Sequence, residues 1–310
     1  MAANVESMFY TREKPWHGLG VEVKAAPTSA DALRLSGLDW TVKQEAIFTD
    51  NGKEIAGYKA NVRSTDRRVL GVVTDRYKVV QNTEAFAFTD ELLGNGVRYE
   101  TAGSLQEGRR VWLLARLPRE YIISGERISP YLVFSNTHDG SGAVKVAVTP
   151  VRVVCNNTLN LALSTAKRSW SMVHTGDIKG KIGEAKETLF IAEKYMDELG
   201  KEFEQLRDKK MTDAKVAEYI ELLLPVENGA TGQQVKNIQK LREDMKARYY
   251  AAPDLKQVGN NAYRFINAVS DFATHANPLR KTVNYQENLF GRTIDGNPLI
   301  DRAYQLVCAA

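Results

Sequence analysis

The sequence predicts an α+β protein, with an antiparallel β-sheet and a packed helix in the N-terminal half and a helical C-terminal half. Three observations predict it. Apolar residues alternate along short runs between Trp40 and Thr149, and an Asn51-Gly52 pair separates two of those runs. From Glu184 onward the apolar period lengthens to that of a helix. The change of period places the boundary near residue 180, dividing the chain into an antiparallel α+β domain over 1–180 and a helical region over 181–310.

In chain order, residues 1–30 read as irregular, broken by Pro15, Gly18, Gly20 and Pro27. Thr28-Ser29-Ala30-Asp31 opens a short helix that runs to Leu35 and is ended by Gly37. Trp40, Val42, Ala46 and Phe48 alternate on one side of the Asn-Gly turn, and Ile55, Tyr58, Ala60 and Val62 follow on the other. A third strand spans Arg67 to Val73. Gln81 to Leu93 reads as a helix, capped by Asn82 or Thr83 and stopped by Gly94. Arg98–Ala102, Arg110–Leu117, Tyr131–Asn136 and Ala143–Thr149 are extended, divided by Gly108, Pro118, Gly125 and His138-Asp139-Gly140. Val151–Cys155 is a short apolar run, and Asn156-Asn157 caps a helix through Thr165. The long helical pattern from Glu184 breaks near Met211-Thr212-Asp213 and ends at Pro225. Further helices are expected over Gln233–Tyr250, over Asn261–Thr274 and near the C-terminus.

The chain has 310 residues, 43% hydrophobic and 26% charged, which is ordinary globular composition and excludes wholesale disorder. No stretch approaches the roughly 20 apolar residues of a membrane helix, so no membrane association is expected. The opening residues lack a basic segment followed by an apolar one, which argues against secretion. Two cysteines, Cys155 and Cys308, are far from a disulfide framework. A location in the cytoplasm follows as the expectation. The net charge is only +4, but it is unevenly spread. Arg98 to Lys181 holds twelve basic residues against six acidic ones, and Lys59 to Lys78 holds six against Asp66 and Asp75. Solvated strand faces account for such a pattern as well as a basic surface for a polyanion does.

Catalytic signatures fail one after another. There is no GxxxxGK[ST], no GxGxxG after a strand, no HExxH and no GxSxG. Asp271 and His275 share a helix face at i, i+4, yet no third ligand accompanies them, so no metal and no cofactor is expected. Cys155 has no visible base beside it. What does recur is the interleaving of basic and aromatic residues: Lys167-Arg168-Ser169-Trp170 reaching His174, then Arg109-Arg110-Val111-Trp112, then Arg76-Tyr77-Lys78. Single-stranded nucleic acid is bound by basic grooves with aromatic faces that stack bases. The candidate contacts are Arg63, Arg67, Arg68, Arg76, Lys78, Arg109, Arg110, Arg152, Lys167, Arg168, Trp170 and His174, with Asn156 and Asn157 as neutral donors. For Trp112 the competing reading, a core side chain, is the stronger one. For Trp170, flanked by serines in the segment joining the two halves, the readings balance.

Glu6-Ser7-Met8-Phe9-Tyr10, Pro15-Trp16-His17-Gly18-Leu19-Gly20, Gly37-Leu38-Asp39-Trp40, Arg152 through Leu159, His174-Thr175, Ile182 through Ala185, Asn260 through Tyr263 and Asn267-Ala268-Val269 together carry a resemblance. The chain resembles the phage/plasmid-like protein family that carries domain of unknown function nine-three-two. That resemblance implies a gene on a phage, plasmid or other mobile element, in a bacterial host, and implies no particular activity. In layout the chain is also similar to phage single-strand annealing proteins of the RecT and Red-beta kind, which form rings or helical filaments on single-stranded DNA. This second likeness is one of fold level and carries over no residue. The expectation is a non-enzymatic, homo-oligomeric single-stranded DNA-binding protein of strand annealing and recombination. Its rival is a mobile-element protein that binds and inhibits a host defence or restriction factor, which needs an exposed apolar or acidic patch instead of a basic groove.

Overall fold

The structure, a computed structural model, describes residues 5–11, 21–24, 28–93, 98–123, 125–152, 169–176, 187–277 and 296–309. It is α+β, with antiparallel sheets in the N-terminal half and helices in the C-terminal half. The chain divides into two compact units. The first takes Met1–Pro118, Tyr131–Val148 and Arg168–Ala192, and the second takes Arg119–Pro130, Thr149–Lys167 and Glu193–Ala310.

Two sheets organise the strands. The small one is β3(Val42–Phe48), β4(Glu54–Arg63) and β5(Val69–Thr74), antiparallel with β4 in the middle. Asn51-Gly52 turns the chain between β3 and β4, with Gly52 at φ +80, the left-handed conformation that glycine adopts without a Cβ penalty. The large sheet runs in the order β11(Ser169–Met172), β10(Val144–Arg152), β9(Glu126–Thr137), β7(Arg110–Arg116), β6(Arg98–Leu105), β1(Val5–Tyr10), β2(Val21–Glu22). A short β8(Tyr121–Ile123) pairs with the start of β9. The N-terminal residues correct the expectation of an irregular segment. Val5–Tyr10 is a strand whose partner is β6, with Phe9 opposite Ala102. Phe9 and Tyr10 are buried there, within their own chain.

Two helices belong to this unit. In α1(Ser29–Leu35), Thr28 is the N-cap and accepts from the Asp31 amide, and Gly37 follows the C-terminus at φ +67. In α2(Asn82–Leu93), Ala85 and Phe86 are buried. Phe9, Leu38, Leu70, Leu113 and Phe134 supply the bulk of the unit's core.

The helical elements are α3(Glu187–Asp208), α4(Asp213–Leu223), α5(Gly232–Ala251), α6(Ala262–His275) and α7(Pro298–Cys308). Thr212 caps α4 at the expected break, and Thr231 and Gln234 form a reciprocal capping box at the start of α5. Nearly all of α6 is buried, so it serves as the axis of the second unit. Phe203 meets Tyr263 edge-on at 5.1 Å, and Phe265 packs against Tyr219 and Tyr249. Arg264, also buried, donates to the carbonyls of Tyr249 and Tyr250, satisfying the C-terminal end of α5. Asp271 takes the Arg248 guanidinium at 2.5 Å, which is the pairing its place on the helix serves.

Candidate nucleic-acid interface

The basic residues singled out in the sequence separate into two kinds once their surroundings are known. Arg63, at the end of β4, is 7% exposed in its side chain and makes four charge-assisted hydrogen bonds, two to Glu6 of β1 and two to Asp66. Its guanidinium also lies over the Trp40 ring, 5.5 Å from the centroid. The two carboxylates raise the Arg63 pKa, and Arg63 in turn holds Asp66 well below the usual carboxylate range. Arg63 therefore ties β1 to β4 and has no face left for a phosphate. Arg67 is exposed but grips Glu45 through two bonds, at 2.5 and 2.8 Å. Arg68 reaches Asp66 and Glu107.

Arg76, Lys78 and Arg109 are exposed, Arg110 is half-buried, and none has a carboxylate partner among the described residues. The backbone brings these four to one end of the first unit. Arg109 lies in the turn between β6 and β7, and its carbonyl accepts from the His138 amide at 2.7 Å. Lys78, three residues past the end of β5, exchanges bonds with His174: its amide donates to the His174 carbonyl at 2.7 Å, and its carbonyl accepts from His174 Nδ1 at 3.0 Å. Arg110 pairs across the sheet with Thr137.

Beneath these cations is a buried polar cluster. His138 Nε2 donates to Asn82 Oδ1 at 2.9 Å, a role fixed because the Asn82 amide nitrogen is spent on the Leu38 carbonyl. The His138 carbonyl accepts from Asn61, and its ring meets Trp40 edge-on. The His174 ring stacks on Tyr77 at 4.5 Å, and the Tyr77 hydroxyl donates to the Thr137 carbonyl at 2.6 Å. Each imidazole is left with one buried nitrogen that has no partner among the described residues, Nδ1 on His138 and Nε2 on His174. Burial, with His174 nearby, pushes the His138 pKa down from 6.5 to about 3. Burial lowers His174 as well, against an opposing pull from the Lys78 carbonyl and Asp139. His174 is therefore a neutral wedge under the surface and offers no charge to phosphate. Gly71 of β5 is needed beside this cluster, because a Cβ there would lie 2.5 Å from the Asp139 Cα.

Trp112 takes the core position favoured for it, whereas Tyr77 departs from the expectation of a surface aromatic interleaved with cations. Trp112 and Tyr77 are buried, each at 6% exposure. Trp170 is half-buried in β11, opposite Val146, on the same strand face as the buried Met172. The sequence reading missed Tyr58, which stays half exposed on β4. Its signal was masked because Tyr58, Ala60 and Val62 alternate as a core-facing set does, yet burial changes along β4: Ala60 to Arg63 are buried on both faces, while Glu54 to Lys59 are exposed. Arg152 closes β10. Asn156, Asn157, Lys167 and Arg168 lie outside the described residues, as does the helix expected after Asn157.

Chemically, this end of the unit can attract an anion and cannot readily move a proton, because its two imidazoles are sealed. Among the described residues no three His, Cys, Asp or Glu side chains are grouped to hold a metal ion. No helix among them is long and apolar enough to cross a membrane. A cation-bearing α+β unit with a separate helical unit is the class that fold and site define. The model of the family described as a domain of unknown function (DUF932) matches residues 69–291, more than two thirds of the chain, and the chain belongs to that family. The match takes in Arg76, Lys78, Arg109, Arg110, His138 and His174, and begins after Arg63 and Asp66. No curated protein and no solved structure is matched.

Proposed function

We propose that the chain is a non-enzymatic single-stranded DNA-binding protein that promotes strand annealing in phage or plasmid recombination, working as a homo-oligomer in the cytoplasm of a bacterial host. The observation that carries the reading is the set Arg76, Lys78, Arg109 and Arg110, four cations at one end of the first unit with no carboxylate partner among the described residues. Such cations release counterions from a phosphate backbone on contact, a sequence-independent source of affinity. The likeness in layout to phage annealing proteins supports the annealing step and the ring or filament. The N-terminal strand gives no support to an oligomer, since it is already paired within its own chain.

The rival reading, capture of a host defence protein, rests on the apolar residues exposed on β4 and β5. The unpaired cations near them favour nucleic acid. Titration of the full chain against single- and double-stranded oligonucleotides at two salt concentrations tests the proposal. Tighter binding to the single strand, weakening as salt rises, is the expected result. Equal affinity for both forms, or affinity indifferent to salt, would overturn it.

A further inference from the structure

Glycine follows asparagine at Asn51-Gly52, Asn95-Gly96 and Asn228-Gly229. The middle pair lies outside the described residues, and the other two stand in exposed turns. Their sequence settings are alike, since Asp50 precedes one asparagine and Glu227 the other. Both glycines have positive φ, +80 at Gly52 and +83 at Gly229, and the space beside each is open where a Cβ would stand. Water and hydroxide reach the two turns alike.

The turns differ in how firmly they are held. At the tip of the β3–β4 hairpin the Gly52 amide donates to the Thr49 carbonyl at 2.9 Å, and the Thr49 amide donates to the Lys53 carbonyl at 2.8 Å. Asn51 Oδ1 accepts from the Thr49 hydroxyl, and the Lys53 amide donates to Thr49 Oγ1 at 3.1 Å. Side chain and following amide are thus both engaged. The turn between α4 and α5 is closed by one bond, from the Ala230 amide to the Glu227 carbonyl at 3.1 Å. The Gly229 amide and the Asn228 carboxamide have no hydrogen-bond partner among the described residues. A turn held by one bond opens at lower cost than one locked through both backbone and side chain.

We infer that Asn228 is a site of self-modification, deamidating through its own backbone, and that the hairpin protects Asn51 from the same reaction. Solvent hydroxide removes the Gly229 amide proton, and the freed nitrogen attacks Asn228 Cγ. A new C–N bond closes a cyclic succinimide. The carboxamide C–N bond breaks, and its nitrogen takes a proton from water and leaves as ammonia. Water then adds to either carbonyl of the ring, giving an aspartyl or an isoaspartyl linkage. Glycine in the following position favours closure because no Cβ obstructs the approach. The product gains a carboxylate, which lowers the net charge of +4 by one. Its isoaspartyl form also lengthens the backbone shortly before Thr231, the N-cap of α5.

The test incubates the full-length wild type at mildly alkaline pH, native and in urea, and maps its peptides by mass spectrometry over time. In the native chain the Asn228 peptide is expected to gain the amide-to-acid mass several times faster than the Asn51 peptide. In urea the two rates are expected to converge, because the fold and not the dipeptide separates them. Asn228→Gln, whose longer side chain must close a larger ring, is expected to lose the earliest acidic species on ion exchange while keeping the wild-type denaturation midpoint. If Asn51 converts as fast as Asn228 in the native chain, the inference is overturned. A gap that persists undiminished in urea, or an early acidic species that survives in Asn228→Gln, overturns it as well.

Discussion

Removing the Arg63 guanidinium would strand Glu6 and Asp66 against each other at the junction of β1 and β4. Arg63 is buried but Glu6 and Asp66 are 30 and 40% exposed, so water can reach both acids once the guanidinium is gone and the cost is below that of a fully buried pair. Arg63→Ala should therefore lower the denaturation free energy by about 1–3 kcal/mol, chiefly through the lost hydrogen bonds and packing, and leave the salt dependence of oligonucleotide binding unchanged. The buried imidazoles make a second prediction. Both titrate below the ordinary histidine value, so in acid the unfolded chain takes up protons that the folded one refuses. Their contribution is complete above about pH 6.5 and is lost as pH falls, at up to about 1.4 kcal/mol per pH unit for each ring. For His138 the loss continues toward pH 3. Denaturant titrations between pH 7 and 4 should show this decline, and His138→Gln should make it shallower. Nothing in the sequence distinguished Arg63 from Arg109, since both stand in basic stretches near strand ends. The difference comes from Glu6, which lies 57 residues from Arg63 along the chain.

At the scale of elements, local signals were legible and distant ones were not. The Asn51-Gly52 hairpin, the Thr28 and Thr212 caps and the Gly37 stop are each decided by residues within a few positions of one another. The strand Val5–Tyr10 is decided by β6, almost a hundred residues away, and its own sequence shows no clear alternation. Tyr77 reads as a surface aromatic between two cations, yet its ring is held under the surface by His174 and the Thr137 carbonyl, again through long-range contacts. The burial of Asn61 and Arg63 in the second half of β4 was hidden for the same reason, because His138 and Glu6, which bind them, are remote in sequence. The close approach of β5 to the turn at Asp139 gives an element-level prediction. Gly71→Ala forces a Cβ into backbone, and should destabilise the first unit by about 1–3 kcal/mol, measured as a lowered denaturation midpoint. At the other end of the chain, Thr231→Ala removes the capping box of α5 and should cost about 1 kcal/mol.

Across the whole molecule a net charge of +4 conceals a first unit that pairs Arg63 internally between β1 and β4 and, among the described residues, leaves Arg76, Lys78, Arg109 and Arg110 without ion pairs. Light scattering of the full chain, with and without oligonucleotide, should return a mass above the 34.6 kDa of one copy. A single-copy mass under every condition would remove the ring or filament from the proposal. The central claim, that unpaired cations of the first unit hold single-stranded phosphate, is tested most directly by the slope of log affinity against log salt. Each phosphate contact on a single strand contributes roughly 0.7 to that slope. Arg109→Ala combined with Arg110→Ala should flatten it by roughly 1.4 relative to wild type, with the fold intact. An unchanged slope in that double variant would contradict the account.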